Sequence, residues 1–236
     1  MNDQHIASAY DRDLESLQAL ILKMGGLVEA AIHDASNALE ARDVEKAEAV
    51  RRGDKAVDAL EDQVNDEGAR VIALRAPVSK DLRMILAIIR FAGALERVGD
   101  YAKNMAKRVG TLSELRPVEG TEVMIRRMSR EVEGMLRDLL DAFVRRDAEL
   151  ARDVIHRDGD VDQMYNALFR EILTYMMEDP RHITACMHLH FIAKNTERMG
   201  DLVTNMAEQV VYLVTGERPD DERVKKDQTP YMTAPE

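Results

Sequence analysis

The chain has 236 residues, of which 45% are hydrophobic and only 4% aromatic, and its formal net charge is −11. It is long enough to bury a core, and its charge repels nucleic-acid phosphates and an anionic membrane surface, so we expect no nucleic acid as a partner. The single cysteine, Cys186, is typical of a reducing compartment. No apolar run approaches the roughly 20 residues that a membrane span needs, so we expect a cytoplasmic protein without direct membrane insertion.

Three helices are predicted in the first half of the chain. Apolar residues recur at steps of three and four over residues 7–41, which is the pattern of an amphipathic helix. Asp43 is a typical N-cap for a second helix, and Pro77 ends that helix. Ser79 is expected to cap a third helix, which runs to about Leu112.

The same order of signals follows in the second half. A linker at residues 116–120 precedes a fourth helix over residues 121–145. Asp147 is the expected cap of a fifth helix, which ends before Pro180. A sixth helix covers about residues 181–214, and the chain beyond residue 216 lacks periodicity and is predicted to be disordered.

An internal repeat relates the two halves. A shift of 104 residues aligns residues 41–60 with residues 145–164 at eight of twenty positions, and a shift of 101 aligns residues 94–109 with residues 195–210 at eight of sixteen. Unrelated segments would share about one or two. We therefore predict an all-α fold of six helices, built as two tandem three-helix bundles related by duplication, rather than one long coiled coil. The predicted division is a first repeat (residues 1–115), a linker (116–120), a second repeat (121–215) and a tail (216–236).

Acidic residues at a spacing of four stand among the matched positions. In the third helix Glu96 and Asp100 share one face and continue an apolar stripe, so they should face a neighbouring helix. Carboxylates gathered in this way repel one another, and a hard cation such as Mg²⁺, Mn²⁺, Ca²⁺ or iron would relieve that repulsion. The first acidic stripe comprises Asp54, Asp58, Glu96 and Asp100, and the second acidic stripe comprises Asp158, Asp162, Glu197 and Asp201.

The acidic residues could also be ordinary surface groups without a metal role, some of them paired with Arg97, Arg198 or Lys103. His188 and His190 precede the second stripe and could add a ligand, although the first repeat has Ala87 and Ile89 at those positions. A di-iron carboxylate enzyme would need E-x-x-H pairs, which the sequence lacks, and it has no glycine-rich phosphate loop. We therefore expect a protein that is not an enzyme.

Two copies of one motif carry a resemblance to a known family. Residues 96–100 are Glu-Arg-Val-Gly-Asp and residues 197–201 are Glu-Arg-Met-Gly-Asp, and residues 75–83 are Arg-Ala-Pro-Val-Ser-Lys-Asp-Leu-Arg. With these motifs the chain resembles the PhoU family, the phosphate-specific transport system accessory proteins, from about Tyr10 to Thr215. The second interhelical loop departs from the family pattern at residues 179–182.

The resemblance implies a function that composition alone does not. It implies a negative regulator of phosphate uptake and of the phosphate-starvation response. The implied partners are a sensor histidine kinase and the ATPase subunit of a phosphate ABC transporter, and the implied assembly is a homodimer. It also implies metal cations (Mg, Mn, Fe or Zn) held by the eight residues of the two acidic stripes. The alternatives are a helical scaffold without a metal role and a metal-dependent enzyme.

Overall fold

The computed structural model describes residues 2–219 and residue 229, and within these residues it contains six long helices and no strand. The all-α prediction is confirmed. The helices are α1 (Asn2–Ala41), α2 (Val44–Arg75), α3 (Lys80–Glu114), α4 (Thr121–Arg145), α5 (Ala148–Glu178) and α6 (Ile183–Thr215). Most of the tail that we predicted to be disordered lies outside the described residues.

Two of the three predicted helix caps are confirmed. The Asp43 carboxylate accepts a hydrogen bond from the Lys46 amide at 2.9 Å, and the Asp147 carboxylate accepts from the Leu150 amide at 3.0 Å. The prediction for Ser79 is wrong, because its side chain makes no capping hydrogen bond. Its φ of 53° lies outside the extended region from which a cap oxygen reaches the first-turn amides.

Breaks in the helices fall where proline predicts them. Helix α2 ends at Arg75, two residues before Pro77. Pro180 begins a single 3₁₀ turn (Pro180–His182), so that α6 begins at Ile183 rather than at Arg181 as predicted. The linker turns at Gly120, whose φ of 82° suits glycine.

The helices form two three-helix bundles, α1–α3 and α4–α6, and one mainly aliphatic core continues through both bundles. The bundles join through α1 against α4 and α3 against α6. Val28 and Val132 occupy equivalent places. A Cβ atom added at Gly99 would lie 3.8 Å from Cγ2 of Val28, and one added at Gly200 would lie 3.8 Å from Cγ2 of Val132. The shift of 104 residues seen in the sequence thus relates α1 to α4 as well.

No helix in the described part of the chain combines the length and the apolar character that a membrane crossing requires.

Candidate functional site

The first acidic stripe lies between α2 and α3. Asp54 is buried on α2, and its carboxylate Oδ2 lies 2.5 Å from the Nζ of Lys103 on α3. The same ammonium lies 3.2 Å from Oδ1 of Asp100. These contacts raise the pKa of Lys103, chiefly through the hydrogen bond to Asp54. Lys103 therefore bridges one carboxylate from each helix.

Farther along the same stripe the carboxylates repel one another. Asp58 is exposed, yet partial desolvation raises the pKa of its carboxyl, and the Asp54 carboxylate adds to this rise. Burial also raises the pKa of Glu96, followed by the charges of Asp100 and Glu61. Glu61 was not predicted as part of the site, because the second repeat has Tyr165 at its matched position. An acid that is not repeated gives no signal in a self-comparison.

The second acidic stripe lies between α5 and α6 and is more deeply buried. Asp158, Asp162 and Glu197 are all buried, whereas Asp201 is half-buried. Thr204 donates a hydrogen bond from Oγ1 to Oδ1 of Asp158 at 3.2 Å. At the other end of the stripe the Lys194 ammonium lies 2.9 Å from Oε1 of Glu197.

The two stripes carry their lysines at opposite ends. The repeat shift of 101 places Thr204 at the position of Lys103, and Lys194 at the position of Gly93. Positions 93 and 103 are ten residues apart, or about 15 Å along a helix. Lys103 donates a hydrogen bond to Asp54, and Thr204 donates one to Asp158, the first aspartate of its stripe. Only Lys103 brings a positive charge.

The donor types suit a metal, although the side chains are not gathered around one point. Carboxylates from two helices are the ligands that hard divalent cations prefer. Among residues 2–219, however, no group of three or more His, Cys, Asp or Glu side chains is arranged to hold a metal ion. In the first stripe the Lys103 ammonium lies between the two carboxylates that a cation would bridge.

The two histidines near the second stripe pack against other side chains. His190 lies among aromatic rings, with its centroid 5.3 Å from Phe169 and 6.2 Å from Tyr165. His188 lies 3.1 Å from the guanidinium of Arg108 on α3. Burial is the main cause that lowers the pKa of both imidazoles. A ligand role for either of them stays a prediction.

Comparison with known proteins decides the family. A family model for the PhoU domain matches residues 21–109 and again residues 125–210, one match in each bundle. The chain belongs to the PhoU family. The matched segments include all eight residues of the two acidic stripes.

Individual PhoU proteins are similar to the chain over almost its whole length. The phosphate-specific transport system accessory protein PhoU homolog of Caulobacter vibrioides is 43% identical over 224 residues, which cover 95% of this chain and 97% of that protein. The crystal structure of PhoU from Pseudomonas aeruginosa has a TM-score of 0.85 at 39% identity, over 88% of this chain and 100% of that one. The phosphate transport system regulatory protein PhoU from Streptococcus pneumoniae has a TM-score of 0.82 at 33% identity, over 89% of this chain and 99% of that one.

Proposed function

We propose that this chain is a negative regulator of phosphate uptake and of the phosphate-starvation response, and that it acts as an adaptor rather than an enzyme. The observation that carries the proposal is the double match to the PhoU domain, with one E-R-x-G-D motif in each bundle. The relatives whose names refer to phosphate transport extend over nearly the whole chain, so the proposal applies to both bundles together.

The proposed partners are a sensor histidine kinase and the ATPase subunit of a phosphate ABC transporter, with a homodimer as the working assembly. The net charge of −11 favours basic partner surfaces and speeds encounter with them at low salt. Partner binding of this kind should weaken as ionic strength rises, because exposed charges are screened over about 8–10 Å at physiological salt.

The proposed metal role rests on the chemistry of the two acidic stripes. Burial, and after it the charges of neighbouring carboxylates, raises the pKa values of Asp58 and Glu96 in the first stripe, and a bound cation would offset both effects. Mg, Mn, Fe and Zn are the candidate metals. One observation favours the rival proposal of a scaffold with inert acids, namely that Lys103 already bridges Asp54 and Asp100.

A clean deletion tests the regulatory role. In the organism that carries this gene, deletion should leave the phosphate-starvation genes expressed in medium with abundant phosphate, and the wild-type gene supplied in trans should restore repression. Normal repression in the deletion strain, with no second copy present, would contradict the proposal. Pull-down from phosphate-replete cells, with and without a chelator, then shows whether the kinase and the transporter ATPase bind and whether the metal is needed.

A further inference from the structure

An arginine on α5, Arg157, has no arginine as its counterpart in the first repeat. Its Nε donates a hydrogen bond to Oε1 of Glu131 on α4 at 2.7 Å, and its Nη1 donates one to Oδ2 of Asp138 at 2.5 Å. Its Nη2 lies 2.8 Å from the place where Gly134 would carry a Cβ atom, so the guanidinium packs closely against α4. The shift of 104 residues places Gly53 of α2 at the position of Arg157.

The first repeat has a cavity where the second repeat has this guanidinium. The cavity lies between α1 and α2, has a volume of about 220 Å³ and is lined in part by Gly53. Four residues that lie beside the Arg157 guanidinium have counterparts in the cavity wall. In chain order Glu131, Gly134, Asp138 and Asp153 correspond to Leu27, Ala30, Asp34 and Ala49, all of which line the cavity. The cavity therefore occupies the place that an arginine side chain fills in the other repeat.

We propose that the cavity between α1 and α2 is a binding site for an arginine side chain of a partner protein. The guanidinium of the partner takes the place in the first repeat that Arg157 takes in the second. This inference rests on the proposed role as an adaptor, and it adds to that role the site of contact and the type of side chain that the partner presents.

The walls of the cavity suit both parts of an arginine side chain. Leu27, Ala30 and Val50 offer apolar surface to the aliphatic stem, which long cationic side chains commonly bury. Asp34 offers a carboxylate to the guanidinium, and such charge-assisted hydrogen bonds are strong. The Lys46 ammonium lies 2.9 Å from Oδ1 of Asp34, but a carboxylate has further acceptor positions on its two oxygens. The wall thus favours a positively charged side chain over an uncharged one of the same length.

The cavity can be reached by a side chain from outside. At its rim the side chains of Asp34 and Lys46 are 45% and 37% exposed. The net charge of −11 attracts basic partner surfaces over a distance, and the cavity then gives such a surface one defined contact. A guanidinium suits this contact better than an ammonium, because its planar fork can reach two carboxylates at once, as Arg157 does.

The test uses the full-length protein and two short peptides as probes. One is acetyl-Gly-Ala-Arg-Ala-Gly-amide, and the other has citrulline, which has no charge, in place of arginine. Gly53→Arg fills the cavity with the side chain of the second repeat. Gly110→Arg is the matched control, because a Cβ atom at either glycine would meet no atom within 4 Å and both changes add one positive charge. NMR titration measures the affinity for each peptide, and melting temperatures show that each variant folds.

We expect the wild type and Gly110→Arg to bind the arginine peptide about tenfold more tightly than the citrulline peptide, and Gly53→Arg to lose this preference. Asp34→Asn keeps the shape of the side chain and should lose the preference as well, so it serves as a second variant if Gly53→Arg does not fold. Equal affinities for the two peptides in the wild type, or an unchanged preference in either variant, would overturn the inference.

A second measurement links the cavity to the partner. In the deletion strain Gly110→Arg should restore repression of the phosphate-starvation genes, whereas Gly53→Arg and Asp34→Asn should not. Full repression by these two variants would overturn the use of the cavity by a partner and leave the adaptor role standing. Normal repression in the deletion strain itself would instead contradict the adaptor role.

Discussion

His33 on α1 and Glu133 on α4 form a hydrogen bond between the two bundles, with 3.3 Å between Nδ1 and Oε2. Glu29 and Arg137 form a second ion pair across the same contact, through the guanidinium Nε and Nη2 atoms. A shift of 104 residues converts one pair into the other, since Glu29 corresponds to Glu133 and His33 to Arg137. The contact between the bundles is thus made twice, once with an arginine and once with a histidine.

Replacing His33 with Arg should give the contact with Glu133 the same kind of ion pair that Arg137 forms with Glu29. A guanidinium carries a permanent charge, so the pair with Glu133 no longer needs a protonated imidazole. The melting temperature of His33→Arg should therefore exceed that of the wild type at neutral pH. Because the His33 side chain is 53% exposed, the gain should be only about 0.5 kcal/mol, or about 1–2 °C.

The control for this change is His156→Arg. His156 forms a hydrogen bond with the Arg152 carbonyl in its own helix and does not take part in the contact between the bundles. A gain of the same size in the control would show that added charge, and not the contact with Glu133, causes the effect.

Replacing Glu133 with Gln should change how stability varies at acidic pH. Burial raises the pKa of Glu133, and the hydrogen bond from His33 offsets part of this rise. A carboxyl whose pKa is raised by folding contributes stability at low pH that is lost as pH rises through the raised value. The stability of Glu133→Gln relative to the wild type should therefore improve, on the order of 0.5 kcal/mol, between pH 4 and 7. Chemical denaturation at several pH values measures the free energy of unfolding of both proteins. If the difference between the two free energies stays constant from pH 4 to 7, the prediction is wrong. Glu15→Gln, at an exposed site on α1, is the control.

Replacing Asp100 with Asn should reverse the order of stability when metal is added. In chelator the variant should melt slightly above the wild type, because a charge that raises the pKa of Glu96 and Asp58 is gone. With Mn²⁺ at about one hundred times its dissociation constant, the wild type should gain about 2.7 kcal/mol and the variant less. Thermal melts of both proteins and of Asp66→Asn, at an exposed aspartate on α2, test this. If the Asp100→Asn shift is the same in chelator and in Mn²⁺, the stripe does not bind the ion at that residue.

Replacing Gly53 with Ala should stabilise α2. A Cβ atom at Gly53 would meet no other atom within 4 Å, so alanine should add about 0.5–1 kcal/mol through its helix propensity alone. Gly68→Ala on the same helix is the matched comparison, because its Cβ would lie 2.9 Å from Cδ1 of Ile89. We expect a rise of about 1–4 °C in melting temperature for Gly53→Ala and a smaller rise or a loss for Gly68→Ala. Equal rises would mean that Ile89 moves aside without cost.

The helices and the repeat could be predicted because both depend on local patterns. These patterns depend only on residues that are close together in the sequence. They are the heptad spacing of apolar residues, the helix caps Asp43 and Asp147, and the helix stop at Pro77. Ser79 makes no capping hydrogen bond, and its positive φ of 53°, which the sequence does not encode by itself, lies outside the extended conformation of a helix cap.

The contacts that distinguish the repeats were harder to predict, because a self-comparison emphasises what is shared. The repeats differ at the positions of Glu61, Lys194 and Thr204. At each of these positions a charged residue in one repeat corresponds to an uncharged residue in the other, so the two stripes differ in charge. The pair of His33 and Glu133 depends on how one bundle docks on the other, and no spacing within a single helix records that arrangement.

The paired contact between α1 and α4 has the form of an isologous interface enclosed within one chain. In a two-fold dimer of a single three-helix unit, one glutamate and one basic residue would meet twice by symmetry, and every substitution would change both contacts together. A covalent link between the two copies removes that constraint. One contact then keeps Arg137 while the other carries His33, and a single polypeptide holds two different junctions at positions that symmetry would otherwise make identical.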